Sequence, residues 1–207
     1  DAFVEAVGRA CREHDLAFVL ELLTYPLPGE DAGSAAYARE RPARVLGSLR
    51  RFADPRFEVD LMKLEFPAEL TRADGFHAGA LDGVAREAVT DLDEVRASLR
   101  ALDEASPVPW VLLSAGVGPR EFALAVELAM EAGASGILAG RAVWYDALAA
   151  YPDLHALRER LRRRSVPYLR QLRAIVEGGV PWQRHRRYGG APAVADASET
   201  WYRGYGA

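Results

Sequence analysis

Short apolar runs alternate with amphipathic stretches along this chain. Four runs have the length and continuity of buried strands, at about residues 17–23, 58–65, 109–114 and 135–139. Apolar positions at helical spacing between and around them predict helices at about residues 2–14, 41–53, 91–105, 119–131 and 154–177. The polar stretches at 26–34 and 67–90 are predicted to be loops or irregular structure. The pattern is therefore strand, loop and helix, repeated four times.

This order, with continuous apolar strands, is typical of a parallel sheet covered by helices. Two architectures fit it: a doubly wound open sheet and part of a (βα)8 barrel. In both, functional groups collect at the carboxyl ends of the strands. Polar or glycine residues stand at or near that end of every predicted strand, namely Glu21, Lys63, Ser114-Ala115-Gly116 and Gly140-Arg141. We therefore expect one site built from all four strand ends.

Lys63 is the only lysine among the 26 Lys and Arg residues of the sequence, and it lies inside an apolar run. Arginine can replace lysine as a surface charge, but a guanidinium does not deprotonate near neutral pH whereas a desolvated ammonium does. One interpretation is a strand-end side chain that extends to water. The other is an amine that forms a Schiff base with a carbonyl substrate.

Composition excludes several classes of function. A length of 207 residues suits one large domain, and a net charge of -4 argues against a nucleic-acid-binding surface. The single cysteine, Cys11, permits no intramolecular disulfide, and no apolar stretch reaches the roughly 20 residues of a membrane helix. We expect a cytoplasmic protein that binds neither nucleic acid nor membrane. The chain starts without methionine, in what reads as the middle of a helix, so we expect it to belong to a longer protein.

Cofactor and metal motifs are not found in the sequence. It contains no glycine-rich dinucleotide fingerprint and no Walker motif, which argues against nicotinamide or ATP chemistry. The four histidines show no metal-ligand spacing with Asp, Glu or Cys. We therefore expect neither a cofactor nor a metal.

Four sequence strings carry a family resemblance: FVLELLTY (18–25), PRFEVDLMKLEFP (55–67), LSAGV (113–117) and GILAGRAVW (136–144). In this order and spacing they resemble the tagatose 1,6-bisphosphate aldolase family, class I aldolases that include the sulfofructose-1-phosphate aldolases. The resemblance extends over about residues 2–185. It implies an α/β fold, the (βα)8 TIM barrel, with residues 1–180 as its C-terminal half (strands 5–8) and 181–207 as a C-terminal tail.

The same resemblance assigns the Schiff-base lysine to Lys63 and the acid/base carboxylate to Glu21. Forming a carbinolamine, losing water and breaking a C–C bond each move a proton, and a carboxyl beside the amine can carry it. The alternative for Glu21 is a structural partner of an arginine. Glu65 shares the strand face of Lys63 and is a further candidate for substrate contact, whereas Asp60 lies on the opposite face as a strand-start or helix-contact residue.

The glycine turns after the third and fourth strands suit a substrate phosphate. Small residues let backbone N–H groups approach the oxygens, a following helix adds partial positive charge, and (βα)8 barrels often bind phosphate between these loops. The predicted phosphate-binding residues are Ser114, Ala115, Gly116, Gly140 and Arg141. Arg141 would pair with the phosphate bidentately, and Ser114 would donate its hydroxyl. The alternative is that these turns serve packing alone.

The resemblance implies cleavage of a ketose 1-phosphate of the tagatose 1,6-bisphosphate type. The products would be dihydroxyacetone phosphate and a three-carbon aldehyde such as glyceraldehyde 3-phosphate. The alternatives are a 6-deoxy-6-sulfofructose-1-phosphate aldolase, a non-catalytic phosphosugar-binding regulatory barrel, and another Schiff-base barrel such as deoxyribose-phosphate aldolase or type I dehydroquinase. Lys63 favours an enzyme, since a binding protein could neutralise phosphate with arginine.

Three further features concern assembly and surface. We expect a homo-oligomer, and the basic run 158–164 is predicted to be a solvated helix face, with a subunit contact as the alternative. The run 184–187 is predicted to lie at the surface, with an anionic substrate as the alternative. The aromatic tail around 201–205 would dock on the protein itself or cover the active site.

Overall fold

A computed structural model describes residues 1–189 as an α/β fold around a four-stranded parallel sheet. The strands are β1 (Val19–Glu21), β2 (Leu61–Leu64), β3 (Trp110–Leu113) and β4 (Gly136–Leu138), in the spatial order β1-β2-β3-β4. All neighbouring pairs are parallel. The predicted number, order and direction of the strands are therefore confirmed, and each strand is shorter than the apolar run that contains it.

Seven α-helices lie in the described part of the chain: α1 (Ala2–Glu13), α2 (Ala35–Phe52), α3 (Leu92–Ala105), α4 (Pro119–Ala132), α5 (Arg141–Trp144), α6 (Leu154–Arg160) and α7 (Val166–Val176). Short 3₁₀ helices occur at Pro55–Phe57, Leu70–Arg72, Tyr145–Ala150, Trp182–Arg184 and Arg186–Tyr188. None of the helices within residues 1–189 is both long and apolar enough to cross a bilayer.

Two helices differ from the sequence prediction. The predicted start of α2 at residue 41 is wrong, because the Ser34 hydroxyl accepts a hydrogen bond from the Tyr37 N–H and caps the helix before Ala35. The long helix predicted at 154–177 is interrupted by a π-helical turn at Leu161–Ser165. Pro167, two residues after this turn, has no N–H to bond the carbonyl four residues earlier, which favours a wider turn there.

The core lies between one face of the sheet and the helices. Fully buried side chains come from two strands and three helices, namely Leu49, Met62, Leu64, Leu99, Trp110, Leu112 and Val126. Along β2 the buried positions alternate, so Met62 and Leu64 face the helices while Leu61 and Lys63 face the other side. The two-residue period of the strand thus turns Lys63 away from the core.

The second face of the sheet is exposed along its two outer strands, whereas Val111 and Leu113 of β3 on that face are buried. Val19 of β1 and Leu138 of β4 are 43% and 45% exposed. Within residues 1–189, β1 and β4 each pair with a strand on one side only. Exposed apolar side chains and unpaired strand edges are surfaces that proteins commonly cover or pair.

The segment 182–188 packs beneath the sheet, at the amino ends of its strands. Arg186 donates to the carbonyl oxygens of Asp103, Glu104 and Ser106 at the end of α3, and Arg187 donates to the Val59 carbonyl oxygen at 3.0 Å. These arginines stabilise the fold at the end of the sheet opposite Lys63. The aromatic residues around 201–205 lie outside the described residues.

Candidate active site

Glu21 and Lys63 lie side by side at the carboxyl ends of the first two strands. They are Cα partners in the β1–β2 register, and the Lys63 Nζ donates to the Glu21 Oε2 at 2.7 Å. The Lys63 side chain is 21% exposed and that of Glu21 43% exposed. The amine is thus partly shielded from water, while the carboxylate beside it remains in contact with solvent.

A cleft of about 370 Å³ opens at this end of the sheet and receives residues from all four strand ends. It is lined by Glu21, Leu23, Thr24, Tyr25, Lys63, Glu65, Leu113, Ser114, Ala115, Leu138, Gly140, Arg141 and Trp144. Every predicted catalytic or phosphate-binding residue therefore lies in one cleft, except Gly116, which follows in the turn after β3.

The turn after β3 is tight and partly left-handed. The Val117 N–H donates to the Ser114 carbonyl oxygen at 3.1 Å, and Ala115 and Gly116 have φ angles of 45° and 80°. Glycine adopts this conformation freely, whereas an alanine there carries backbone strain of about 1 kcal/mol. The N-cap of α4, Gly118, provides no side-chain acceptor for the first helical N–H groups. Those donors are available to water or to an anion.

The turn after β4 brings a cation and an aromatic side chain to the cleft. Arg141 is exposed, and among residues 1–189 no carboxylate lies within ion-pairing distance of its guanidinium. A Cβ added to Gly140 would lie 3.5 Å from the indole Nε1 of Trp144. That distance is an ordinary van der Waals contact, so the indole lies beside this turn without requiring glycine there. We did not predict the position of Trp144.

Glu65 lies on the cleft side of β2, as its spacing from Lys63 predicts, but its carboxylate is engaged by the protein. Its Oε2 accepts hydrogen bonds from the Thr24 N–H and the Thr24 hydroxyl, both at 2.7 Å. The other oxygen, Oε1, is 3.6 Å from an Arg41 guanidinium nitrogen. We did not predict the roles of Thr24 and Arg41. The only signal for Thr24 in the sequence is its position just past the end of β1.

A second, smaller cleft of about 280 Å³ adjoins the first and shares Leu113, Ser114 and Ala115 with it. Glu121, in the first turn of α4, lines it. Burial, together with the negative charges of Glu69 and Asp82, raises the pKa of Glu121 to about 6. Nearby arginines act in the opposite direction and lower this pKa. An uncharged Glu121 is therefore favoured in mildly acidic solution.

A cavity of about 860 Å³ lies at the amino ends of the strands. Asp60 lines it, accepts a hydrogen bond from the Phe18 N–H at 2.9 Å and lies 3.8 Å from Arg187. These contacts fit the strand-start role that we predict for Asp60. In the described residues, no group of three or more His, Cys, Asp or Glu is arranged to hold a metal ion.

Comparison with known proteins shows the family of the chain. Residues 2–146 match the family described as DeoC/LacD family aldolase. Two curated relatives are named tagatose 1,6-diphosphate aldolase. The protein from Streptococcus pneumoniae serotype 4 (strain ATCC BAA-334 / TIGR4) is 38% identical over 152 residues, which are 72% of this chain and 44% of the relative. The protein from Listeria monocytogenes serotype 4a (strain HCC23) is 36% identical over 186 residues, 87% of this chain and 53% of the relative.

A solved structure shares the fold. The crystal structure of an archaeal fructose 1,6-bisphosphate aldolase has a TM-score of 0.50 and 21% identity, with 85% of this chain and 51% of that chain covered. This likeness agrees with a TIM-barrel-like fold. The chain spans about half the length of the curated relatives it matches. From the match over residues 2–146 we conclude that the chain belongs to the DeoC/LacD aldolase family.

Proposed function

We propose that this chain carries the Schiff-base site of a class I aldolase that cleaves a ketose 1-phosphate. The observation that carries the proposal is the contact of the only lysine, Lys63, with the Glu21 carboxylate at 2.7 Å in a cleft at the carboxyl ends of parallel strands. In (βα)8 enzymes this is the end of the sheet where catalysis takes place. Membership of an aldolase family supports the same chemistry.

The reaction begins when the neutral Lys63 amine attacks the C2 carbonyl carbon of the ketose. The resulting carbinolamine loses water and becomes an iminium ion. Removal of the C4 hydroxyl proton then breaks the C3–C4 bond, the aldehyde leaves, and the electron pair of the broken bond moves into the iminium to form an enamine. Protonation of the enamine at C3 and hydrolysis release dihydroxyacetone phosphate and regenerate the amine.

Glu21 is proposed to carry the protons in these steps. Its carboxylate already accepts a hydrogen bond from the Lys63 amine, and its partial exposure allows exchange of protons with water. A positioned acid/base of this kind contributes typically 10²- to 10⁴-fold to a rate. The same group would protonate the departing water and receive the C4 hydroxyl proton.

The substrate's 1-phosphate is proposed to bind at the turns after β3 and β4. The Arg141 guanidinium, without a carboxylate partner among residues 1–189, supports this, as do the left-handed turn at Ala115-Gly116 and the hydroxyl of Ser114. β2 lies between β1 and β3. A phosphate over the neighbouring turns would therefore leave the C2 carbonyl within reach of Lys63.

We further propose that β1–β4 are strands 5 to 8 of a (βα)8 barrel formed with further chain, that residues 1–180 belong to it, and that 181–207 are a C-terminal tail. The coverage of about half of each relative and the single pairing of β1 and β4 within residues 1–189 support this. The full-length protein is proposed to work as a homo-oligomer in the cytoplasm. Light scattering of the full-length protein tests the assembly.

Tagatose 1,6-bisphosphate is the proposed substrate, because it is the compound for which the curated relatives are named. Glyceraldehyde 3-phosphate would then be the second product. The test is to mix the full-length protein with tagatose 1,6-bisphosphate and sodium borohydride and map the modified peptide by mass spectrometry. We expect a reduced adduct on Lys63 in the unmodified protein. The Lys63→Arg variant should show neither the adduct nor turnover. Full activity in Lys63→Arg would refute the proposal.

A further inference from the structure

We propose that Glu65 is a positioning residue that ties the loop after β1 to the end of β2 and so keeps Glu21 in contact with Lys63. The proposal rests on the proposed function for its effect on turnover. Glu65 directly follows β2, two residues beyond Lys63, and Thr24 is three residues beyond Glu21. The bonds between Glu65 and Thr24 therefore join the two segments that present the amine and its carboxylate.

One carboxylate connects three parts of the fold. The Oε2 atom accepts both the N–H and the hydroxyl of Thr24, each at 2.7 Å, and the Oε1 atom lies 3.6 Å from the guanidinium of Arg41 in α2. Arg41 also donates through Nε to the Phe66 carbonyl oxygen at 3.0 Å. The loop after β1, the end of β2 and the helix α2 are thus fastened at a single point.

Burial makes this arrangement specific. Glu65 is 7% exposed, and a carboxylate removed from water is stable only when its oxygens are paired. Charge-assisted hydrogen bonds are short and directional, so they restrict the position of Thr24 more strongly than an apolar contact would. Since both oxygens contact protein groups, little of the Glu65 carboxylate remains for a substrate.

The loop needs such a restraint because β1 is short and makes few backbone contacts with β2 beyond Glu21. It has three residues and pairs only with β2 within residues 1–189. After Glu21, the Leu22 N–H donates a hydrogen bond to the Lys63 carbonyl oxygen at 3.1 Å. The next contact with the β2 segment is the one between Thr24 and Glu65. Without Glu65, the carboxyl end of β1 would be free to move away from Lys63.

Loss of this restraint changes the catalytic step more than substrate binding. Proton transfer requires hydrogen-bond distance between the Glu21 carboxylate and the reacting groups, and a displacement of about 1 Å can lower a rate by about 10²-fold. The proposed phosphate-binding turns after β3 and β4 contain neither Thr24 nor Glu65. The expected signature is therefore a lower kcat with a nearly unchanged KM.

Three variants of the full-length protein test this. Glu65→Gln keeps the shape but, whichever way its amide is turned, presents an NH2 group either to the Thr24 donors or to the Arg41 guanidinium. Thr24→Val removes the hydroxyl but keeps the volume, and Thr24→Ser keeps the hydroxyl. We expect the first two to lower kcat for tagatose 1,6-bisphosphate by on the order of 10- to 100-fold with KM within about 2-fold. Thr24→Ser should retain most of the kcat of the unmodified protein.

Glu30→Gln is the matched control. Glu30 lies in the same loop, where it accepts from the Leu27 N–H at 2.8 Å and pairs with Arg44, but it does not line the cleft. Its replacement should leave kcat unchanged. A loss of thermal stability in Glu65→Gln and Thr24→Val with unchanged kcat per folded molecule would reduce Glu65 to a structural residue and overturn the proposal.

A second measurement separates this proposal from the proposed function. Labelling of Lys63 by trinitrobenzenesulfonate, followed by peptide mass mapping, reports on the amine whether or not the protein cleaves a sugar. Because the contact with Glu21 shields the amine, Glu65→Gln and Thr24→Val should speed up labelling several-fold, whereas Glu30→Gln should not. Failure of borohydride trapping in the unmodified protein refutes the aldolase. Equal labelling rates in all variants refute the positioning role.

Discussion

Glu21 and Lys63 are direct Cα partners across β1 and β2, and their side chains meet on the sheet face that the helices leave open. Successive side chains of a strand point to opposite faces, so a slip of one residue in either strand would separate this pair. The β1–β2 register is therefore as important to the proposed chemistry as the two residue types.

Replacing Glu21 by Gln keeps the side-chain size but removes the proposed proton carrier. We expect kcat for tagatose 1,6-bisphosphate to fall by about 10²- to 10⁴-fold, with a smaller change in KM. Steady-state kinetics and the rate of borohydride trapping measure the effect. Asp60→Asn is the control, because Asp60 lies at the opposite end of the sheet. A Glu21→Gln protein with unchanged kcat would show that another group moves the protons.

Replacing Arg141 by Ala removes the side chain that we propose for the substrate phosphate. Loss of one charge-assisted contact costs roughly 1.5–3 kcal/mol, so the affinity for substrate and for inorganic phosphate should fall about 10- to 100-fold. Calorimetric titration with phosphate tests this without turnover. Arg158→Ala, in α6, is the control since Arg158 does not line the cleft. Unchanged phosphate affinity in Arg141→Ala would remove Arg141 from the site.

Glu121 should make the folded protein less stable as the pH rises. Its pKa is raised from 4.5 to about 6, first by burial and then by Glu69 and Asp82, so the folded chain holds this proton more tightly than the unfolded chain does. The contribution to stability is complete below about pH 4.5 and is lost as the pH rises through about 6. The shift corresponds to about 2 kcal/mol, and screening at a partly exposed side chain reduces it to about 1 kcal/mol.

Glu121→Gln removes this charge and should raise the free energy of unfolding at pH 8 by about 1 kcal/mol. The difference from the unmodified protein should shrink towards pH 4.5. Urea unfolding of both proteins at the two pH values measures it. A constant difference between the proteins at all pH values would contradict the raised pKa.

The sheet and the main site residues could be predicted from the sequence because their signals are local. Continuous apolar runs mark the strands, the polar residue that ends each run marks the cleft, and Lys63 is conspicuous by composition. The Glu65–Thr24 contact could not be predicted, because its partners are 41 residues apart and meet only through the β1–β2 register. Ser34, which caps α2, is a local signal in the sequence, but the predicted helix start at residue 41 lies well after it.

The π-helical turn at Leu161–Ser165 could not be predicted from the sequence either. The apolar spacing indicates a helix on both sides of it, and Pro167 indicates a disturbance. Whether a proline ends a helix, bends it or widens one turn depends on packing against the neighbouring elements. Here the chain continues directly into α7.

Two helical glycines should respond in opposite directions to replacement by alanine. Gly8 of α1 is buried, and a Cβ there would lie 2.0 Å from the Phe57 carbonyl oxygen. Since backbone cannot yield as a flexible side chain does, Gly8→Ala should displace α1 and lower the free energy of unfolding by about 1–3 kcal/mol. Gly47 of α2 is exposed, and a Cβ there would meet no atom within 4 Å.

Gly47→Ala should therefore raise the free energy of unfolding by roughly 0.5–1 kcal/mol, because alanine loses less backbone entropy than glycine in a helix. Urea unfolding of both variants, under the same conditions, compares the two effects. Both glycines lie outside the cleft at Lys63, so borohydride trapping per folded molecule should stay unchanged in each. If Gly8→Ala were as stable as Gly47→Ala, the close packing of α1 on the Phe57 carbonyl would not exist in solution.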